Sequence, residues 1–297
     1  MSPPREILPG TTYLVTRRCS QRQFLLRPSP TTSQVFLFLL AVAAHRYGID
    51  VHAFCVLSNH YHLVVTDPHA RLPAFQQLLD ALVARALNAI SGRTETFWAP
   101  DSYSAVKLTT PADVLDKIAY VLANPVAAGL VRTGSAWPGP WSGPDRIGGD
   151  ALEARRPGAF FDPAGTLPAV VSLRLTVPCG FSSPERFRSD LASAVAERED
   201  RARSLWHARG GFLGVNRVLA QKPTQHPSRL ERRSELNPRV AARDKWKRIE
   251  ALGRLLEFLR AYRSAWNDRQ AGKPGVVFPA GTYLMRVRHG VACAATG

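Results

Sequence analysis

The chain has 297 residues, 45% of them hydrophobic, with a formal net charge of +16 and a pI near 10.5. That apolar share allows a sizeable core and excludes a wholly disordered chain. The charge excludes an acidic surface and points to a polyanionic partner, nucleic acid first.

In chain order, MSPPREILPG lacks the apolar stretch of a signal peptide. Thr11–Arg18 is β-branched and aromatic and is expected as a strand, with Gln23–Leu26 as its continuation or a short partner. Pro30 opens a helix that Gly48 stops, with Ser or Thr as its N-cap. Its core, Val35–Ala44, is the longest apolar run and too short to span a bilayer, so no membrane is expected as a partner. Val51–Leu57 and the run starting at His60 form a hairpin around Ser58 and Asn59. Leu72–Ile90 has helical spacing, Tyr103–Leu108 alternates as a strand, and Pro111–Pro125 is a helix that Pro125 ends. The order β-α-β-β-α-β-α predicts an α+β fold, a ferredoxin-like antiparallel sheet with helices on one face.

Residues 1–135 form the first expected domain, with a net charge of +4. Residues 136–183 are rich in Pro and Gly and read as a linker, with a short strand over Ser172–Pro178. Residues 184–297 read as a basic, mainly helical accessory region, and residues 136–297 together carry a net of +12. Within it, Pro184–Arg209 is a charged helix, and GGFLGVN before a short helix suggests a helix-turn-helix. A loop is expected over 222–239. The helix Trp246–Gln270 carries Ile249, Leu252, Leu256, Leu259, Tyr262 and Trp266 on a stripe expected to be core. Its opposite face offers Arg254, Arg260 and Arg263 to phosphates. The tail suggests a strand or two. Cys19, Cys55, Cys179 and Cys293 show no CxxC spacing, which argues against a zinc knuckle and suits a reducing cytoplasm.

SNHYHLVV, Ser58 to Val65, carries the chemistry. Side chains on a strand alternate between faces, so His60 and His62 share one and Tyr61 and Leu63 the other. Two neutral imidazoles so placed can bind one metal ion, or serve as hydrogen-bonded core residues. In YVLANPVAAGLV, Asn124 lies four residues after Tyr120, on the same helix face. Tyr103 is a second candidate nucleophile in a packing context. His52 and His69 flank the hairpin and are expected at the surface.

SNHYHLVV, then FW, a strand and Tyr-x-x-x-Asn-Pro-Val-x-x-Gly-Leu-Val, resembles the HUH single-tyrosine transposases, in particular the REP-associated branch, over roughly residues 5–143. The resemblance implies that His60 and His62 hold Mg²⁺ or Mn²⁺, with Asn124 at the place of a third ligand that is commonly Gln. It implies that Tyr120 attacks single-stranded or hairpin DNA and stays joined to a 5′-phosphate. Arg17 and Arg18, at the end of the first strand, are further candidates for DNA contact, and a homodimer is a further expectation. A HIT-type hydrolase would need histidine where Val64 stands, and a zinc deaminase needs His-x-Glu and Pro-Cys-x-x-Cys, which the chain lacks. The rival reading is a DNA-binding protein derived from such a transposase that no longer cleaves.

Overall fold

The structure is a computed structural model that describes residues 4–100, 103–227 and 238–295. The first seven main elements occur in the expected order. They are β1 (Thr11–Arg18), α1 (Pro30–Tyr47), β2 (Asp50–Leu57), β3 (His60–Asp67), α2 (Leu72–Ile90), β4 (Ser104–Leu108) and α3 (Pro111–Ala127). Local chemistry sets their ends. The Ser29 hydroxyl accepts from the Thr32 N–H at 3.0 Å with Pro30 in the first turn, and Gly48, at φ 63°, closes α1 in the left-handed conformation. No helix among the described residues is long and apolar enough to cross a membrane.

β1 lies between β3 and β4 and pairs antiparallel with both. β2 pairs with β3 on the other side, giving the order β2-β3-β1-β4. The α+β class with an antiparallel core sheet therefore stands. Helices lie on both faces, however, where one was expected. Tyr61 meets Phe36 of α1 and Asp80 of α2, whereas His62, its neighbour on the opposite face, meets Tyr120 of α3. The cause is visible in β2 and β3, which are buried almost without interruption. A strand covered on both sides needs a continuous apolar run rather than strict alternation.

The remaining elements are β5 (Leu152–Arg155), β6 (Val170–Leu173), α4 (Pro184–His207), α5 (Val215–Leu219), β7 (Val240–Ala241), α6 (Lys245–Gln270) and α7 (Leu284–His289). β5 and β6 form a small separate sheet, and β7 joins the main sheet parallel to β4. Residues 136–183, with their Pro and Gly, run along the outer edge of β2. Val56 N–H donates to Pro140 O, Ser142 bonds Phe54, and Thr176 N–H donates to Val51 O. α4 packs on α3, and Arg198 pairs with Asp116 at 2.5 Å.

Several expectations are corrected. Gln23–Leu26 is not a strand; it follows a short 3₁₀ segment, Ser20–Arg22, and turns again at Leu25–Leu26, where Arg27 N–H donates to Phe24 O. α3 continues through Pro125 to Ala127, because a proline in the last turn removes only one of the helix's final hydrogen bonds. α5 has five residues, too few for a recognition helix. The apolar stripe of α6 is not core over its first half: Ile249, Leu252 and Leu256 are 48%, 42% and 53% exposed. From Phe258 onward the helix is anchored: Phe258 meets Tyr262, and Tyr262, Ala265 and Trp266 pack with Phe278 and Met285. The tail holds the helix α7 and isolated bridges rather than a strand. The loop expected over 222–239 falls largely on 228–237, outside the described residues.

Candidate active site

β3 presents His60 and His62 on the face opposite Tyr61. Thr16 of β1 is directly across from His62 and shares that face. The two imidazole Nε2 atoms are 3.1 Å apart. Both Nδ1 atoms are engaged from behind, that of His60 by Asn59 Oδ1 at 2.6 Å and that of His62 by Thr16 Oγ1 at 2.8 Å. With Asn59 Oδ1 accepting, His60 carries its proton on Nδ1 and its lone pair on Nε2. The Thr16 hydroxyl can donate or accept, so it serves either tautomer of His62.

α3 brings the other half of the site. The Thr110 hydroxyl accepts from the Asp113 N–H at its start, with Pro111 in the first turn. Three turns on, the Tyr120 ring sits edge-on to His62, with centroids 5.5 Å apart. Asn124 follows on the same face, 8% exposed, whereas Tyr120 is 38% exposed and so open to a substrate. The helix then stops at Gly129. Its φ of 72° lets Gly129 N–H reach Val126 O and Leu130 N–H reach Pro125 O, a Schellman ending.

These side chains line one cleft of about 250 Å³ together with Arg18, Arg22 and Asn59. The structure thus gathers four of the expected residues, His60, His62, Tyr120 and Asn124, with Arg18 beside them. Arg17 is not there. Alternation along β1 turns it to the other face, where it pairs with Asp80 at 3.4 Å and lies over Trp98. Arg254, Arg260 and Arg263, on α6, do not line the cleft either; Arg254 pairs with Glu250 at 2.6 Å on the helix surface. Arg22, Asn59 and Thr16 were missed. The hairpin turn could have flagged Asn59, and the pairing of β1 with β3 could have flagged Thr16. Tyr103 is packed under the Arg5 guanidinium, 3.9 Å from its ring centroid. His69 is exposed as expected, but His52 is buried, 2% exposed, bonded to Thr176 O and Thr66 Oγ1.

Burial pushes the His62 imidazole down to about 3 and holds that of His60 well below its ordinary value. For His60 the neighbouring His62, Arg18 and Arg22 add to the effect; for His62, Arg18 does. Both rings are therefore neutral near pH 7, the form that ligates metals. Two donors meeting a hard cation at a right angle, with bonds of about 2.1 Å, would stand about 3.0 Å apart. The observed 3.1 Å fits that spacing. Among the described residues no group of three or more His, Cys, Asp or Glu is placed to hold a metal ion, so an ion in this cleft would have the two imidazoles and the Asn124 amide to draw on.

No family model matches the sequence, and no curated protein does. Among solved structures, a REP-associated tyrosine transposase bound to a REP hairpin is similar to this chain at 20% identity and a TM-score of 0.40. The likeness covers 46% of this chain and 80% of that one. A Deinococcus radiodurans R1 protein described as a transposase is similar at 18% identity and a TM-score of 0.28, over 36% of this chain and 85% of that one. Likeness of this degree does not carry an assignment; the functional reading rests on the cleft.

Proposed function

We propose that the protein cleaves and rejoins single-stranded DNA through a covalent 5′-phosphotyrosine, as a transposase does. One observation carries this reading: a histidine pair on β3 and a tyrosine some sixty residues later on α3 converge with Asn124 and two arginines in one cleft. A protein that only bound DNA would need the arginines but not the other groups.

His60 and His62 would hold Mg²⁺ or Mn²⁺, with Asn124 as a third donor; bound there, such an ion would neutralise and polarise the scissile phosphate. Asn59 and Thr16 fix the two rings from behind, the role of outer hydrogen bonds around a metal ligand. Arg18 and Arg22 offer guanidinium groups to the flanking phosphates. Tyr120 Oη attacks phosphorus. The new O–P bond forms as the bond from phosphorus to the 3′-oxygen breaks, and the proton lost by the phenol is balanced by the one the 3′-oxygen gains. The product is a 5′-phosphotyrosine and a free 3′-hydroxyl. Because the phosphodiester energy is kept in the linkage, the reverse attack rejoins the strand without a further energy source.

The test is a denaturing gel with labelled single-stranded hairpin DNA and Mn²⁺. Wild type should form a slow-migrating adduct. Tyr120→Phe, which loses only a half-exposed hydroxyl, should form none while still binding DNA. Binding by wild type without an adduct on any hairpin would instead favour the non-cleaving reading.

A further inference from the structure

A second, larger concavity of about 1140 Å³ opens from the cleft, and both are lined by Arg22, Asn59, His60, Ala127 and Ala128. Its far wall comes from the end of α4, from α5 and from the segment between them, residues whose role the cleft chemistry leaves unexplained. That wall is fixed to the catalytic core. Leu213 N–H donates to Gly129 O, Gly214 N–H to Leu130 O, and Ser58 Oγ to Gln221 Oε1 at 2.5 Å. Trp206 donates to Ala127 O at 3.0 Å. Its ring lies on Gly129 so closely that a Cβ there would meet it at 2.4 Å.

The lining has two properties of a strand-binding path. Among the described residues it contains no Asp or Glu, and it contains Arg209 and Arg217 besides Arg22. It also offers aromatic surface from Phe24, Trp206 and Phe212. Cations that follow a backbone and aromatic faces on which bases stack are how proteins hold single strands without reading sequence. The volume exceeds the roughly 300–1,000 Å³ of a small-molecule pocket, so it suits more than one nucleotide.

We propose that this groove holds the unpaired DNA flank next to the scissile phosphate, with Arg209 and Arg217 on its phosphates and Phe212 against a base. The inference rests on the DNA-cleaving reading and adds where the strand runs. Both arginines are exposed on the surface of the groove, so replacing them should leave the fold intact.

The experiment measures anisotropy of a labelled hairpin carrying a 5′ or a 3′ tail of about eight thymidines, within the span such grooves occupy, beside the same hairpin without a tail. No metal is added, so cleavage is not involved. Wild type should prefer one tailed hairpin by about tenfold or more. Arg209→Ala/Arg217→Ala should abolish that preference and leave the tail-less affinity unchanged. Its salt slope on the tailed hairpin should fall by about 1.4, since each single-strand phosphate contact contributes about 0.7. Arg209→Lys/Arg217→Lys should restore the slope, which a merely structural role would not do. Equal affinity of wild type for tailed and tail-less hairpins overturns the groove inference and leaves the catalytic reading standing, as does equal loss on both probes in the variant. Absence of any DNA binding by wild type overturns both.

Discussion

At the residue scale, the site depends on imidazoles held neutral by burial and aimed by their outer partners. His60→Ala removes one donor and should abolish Mn²⁺ binding in a calorimetric titration, while Thr16→Val, which releases only the outer hydrogen bond to His62, should weaken it about tenfold. Equal affinity in wild type and His60→Ala would refute the metal assignment. His52 gives a separate pH signature. Its Nδ1–H donates to Thr176 O and its Nε2 accepts from Thr66 Oγ1, so the neutral ring satisfies both partners. Burial holds its pKa below the ordinary value. A folded pKa below the unfolded one means stability is full above about pH 6.5 and declines as pH falls below it. Urea unfolding at pH 7.5 and 5.5 should show that decline, and His52→Gln should lessen it by the share of this one ring, His60 and His62 contributing with the same sign. Much of this was legible in the sequence, because strand alternation alone puts His60 and His62 together; the same alternation separates Arg17 from Arg18, but the register of β1 on β3 decides which of the two faces the histidines. Arg22 was not legible. It enters the cleft only because Gln21 and Arg22 both adopt positive φ, 49° and 58°, which their residue types do not announce.

At the element scale, α3 joins the cleft residues Tyr120 and Asn124 to α4. Its helical period placed Tyr120 and Asn124 on one face, and Pro125 marked its end to within one turn. What the period could not give is the partner of that end, the ring of Trp206 from α4. Gly129→Ala should therefore act twice, through the left-handed φ of 72° and through the clash with Trp206. A loss of about 2 kcal/mol in urea unfolding is expected from the φ cost alone, with more from the displaced ring. A loss below about 0.5 kcal/mol would mean that this contact is not formed. α6 shows the converse limit. Its apolar stripe was plain in the sequence, but periodicity says which residues share a face and not what covers them. Half of that face is bare.

At the scale of the whole molecule, the basic excess of residues 136–297 cannot be tested by removing them. Trp137, Leu175, Phe187 and Leu191 belong to the same core as β2 and β3, and a chain ending near Val131 would lose them. The test keeps the full chain and replaces Arg254, Arg260 and Arg263 with Gln. If these face phosphates, the salt slope for single-stranded DNA should fall by up to about 2; an unchanged slope would assign them to solubility. The central claim, that Tyr120 is the nucleophile of a DNA-cleaving site, is tested most directly by locating the covalent linkage. The adduct formed with hairpin DNA and Mn²⁺ is digested with nuclease and trypsin and analysed by mass spectrometry. Cleavage after Lys117 and Arg132 releases a peptide in which Tyr120 is the only tyrosine. The account requires the residual nucleotide mass on that peptide. The same mass on the peptide from residues 94–107, which carries Tyr103, or on neither, would contradict it.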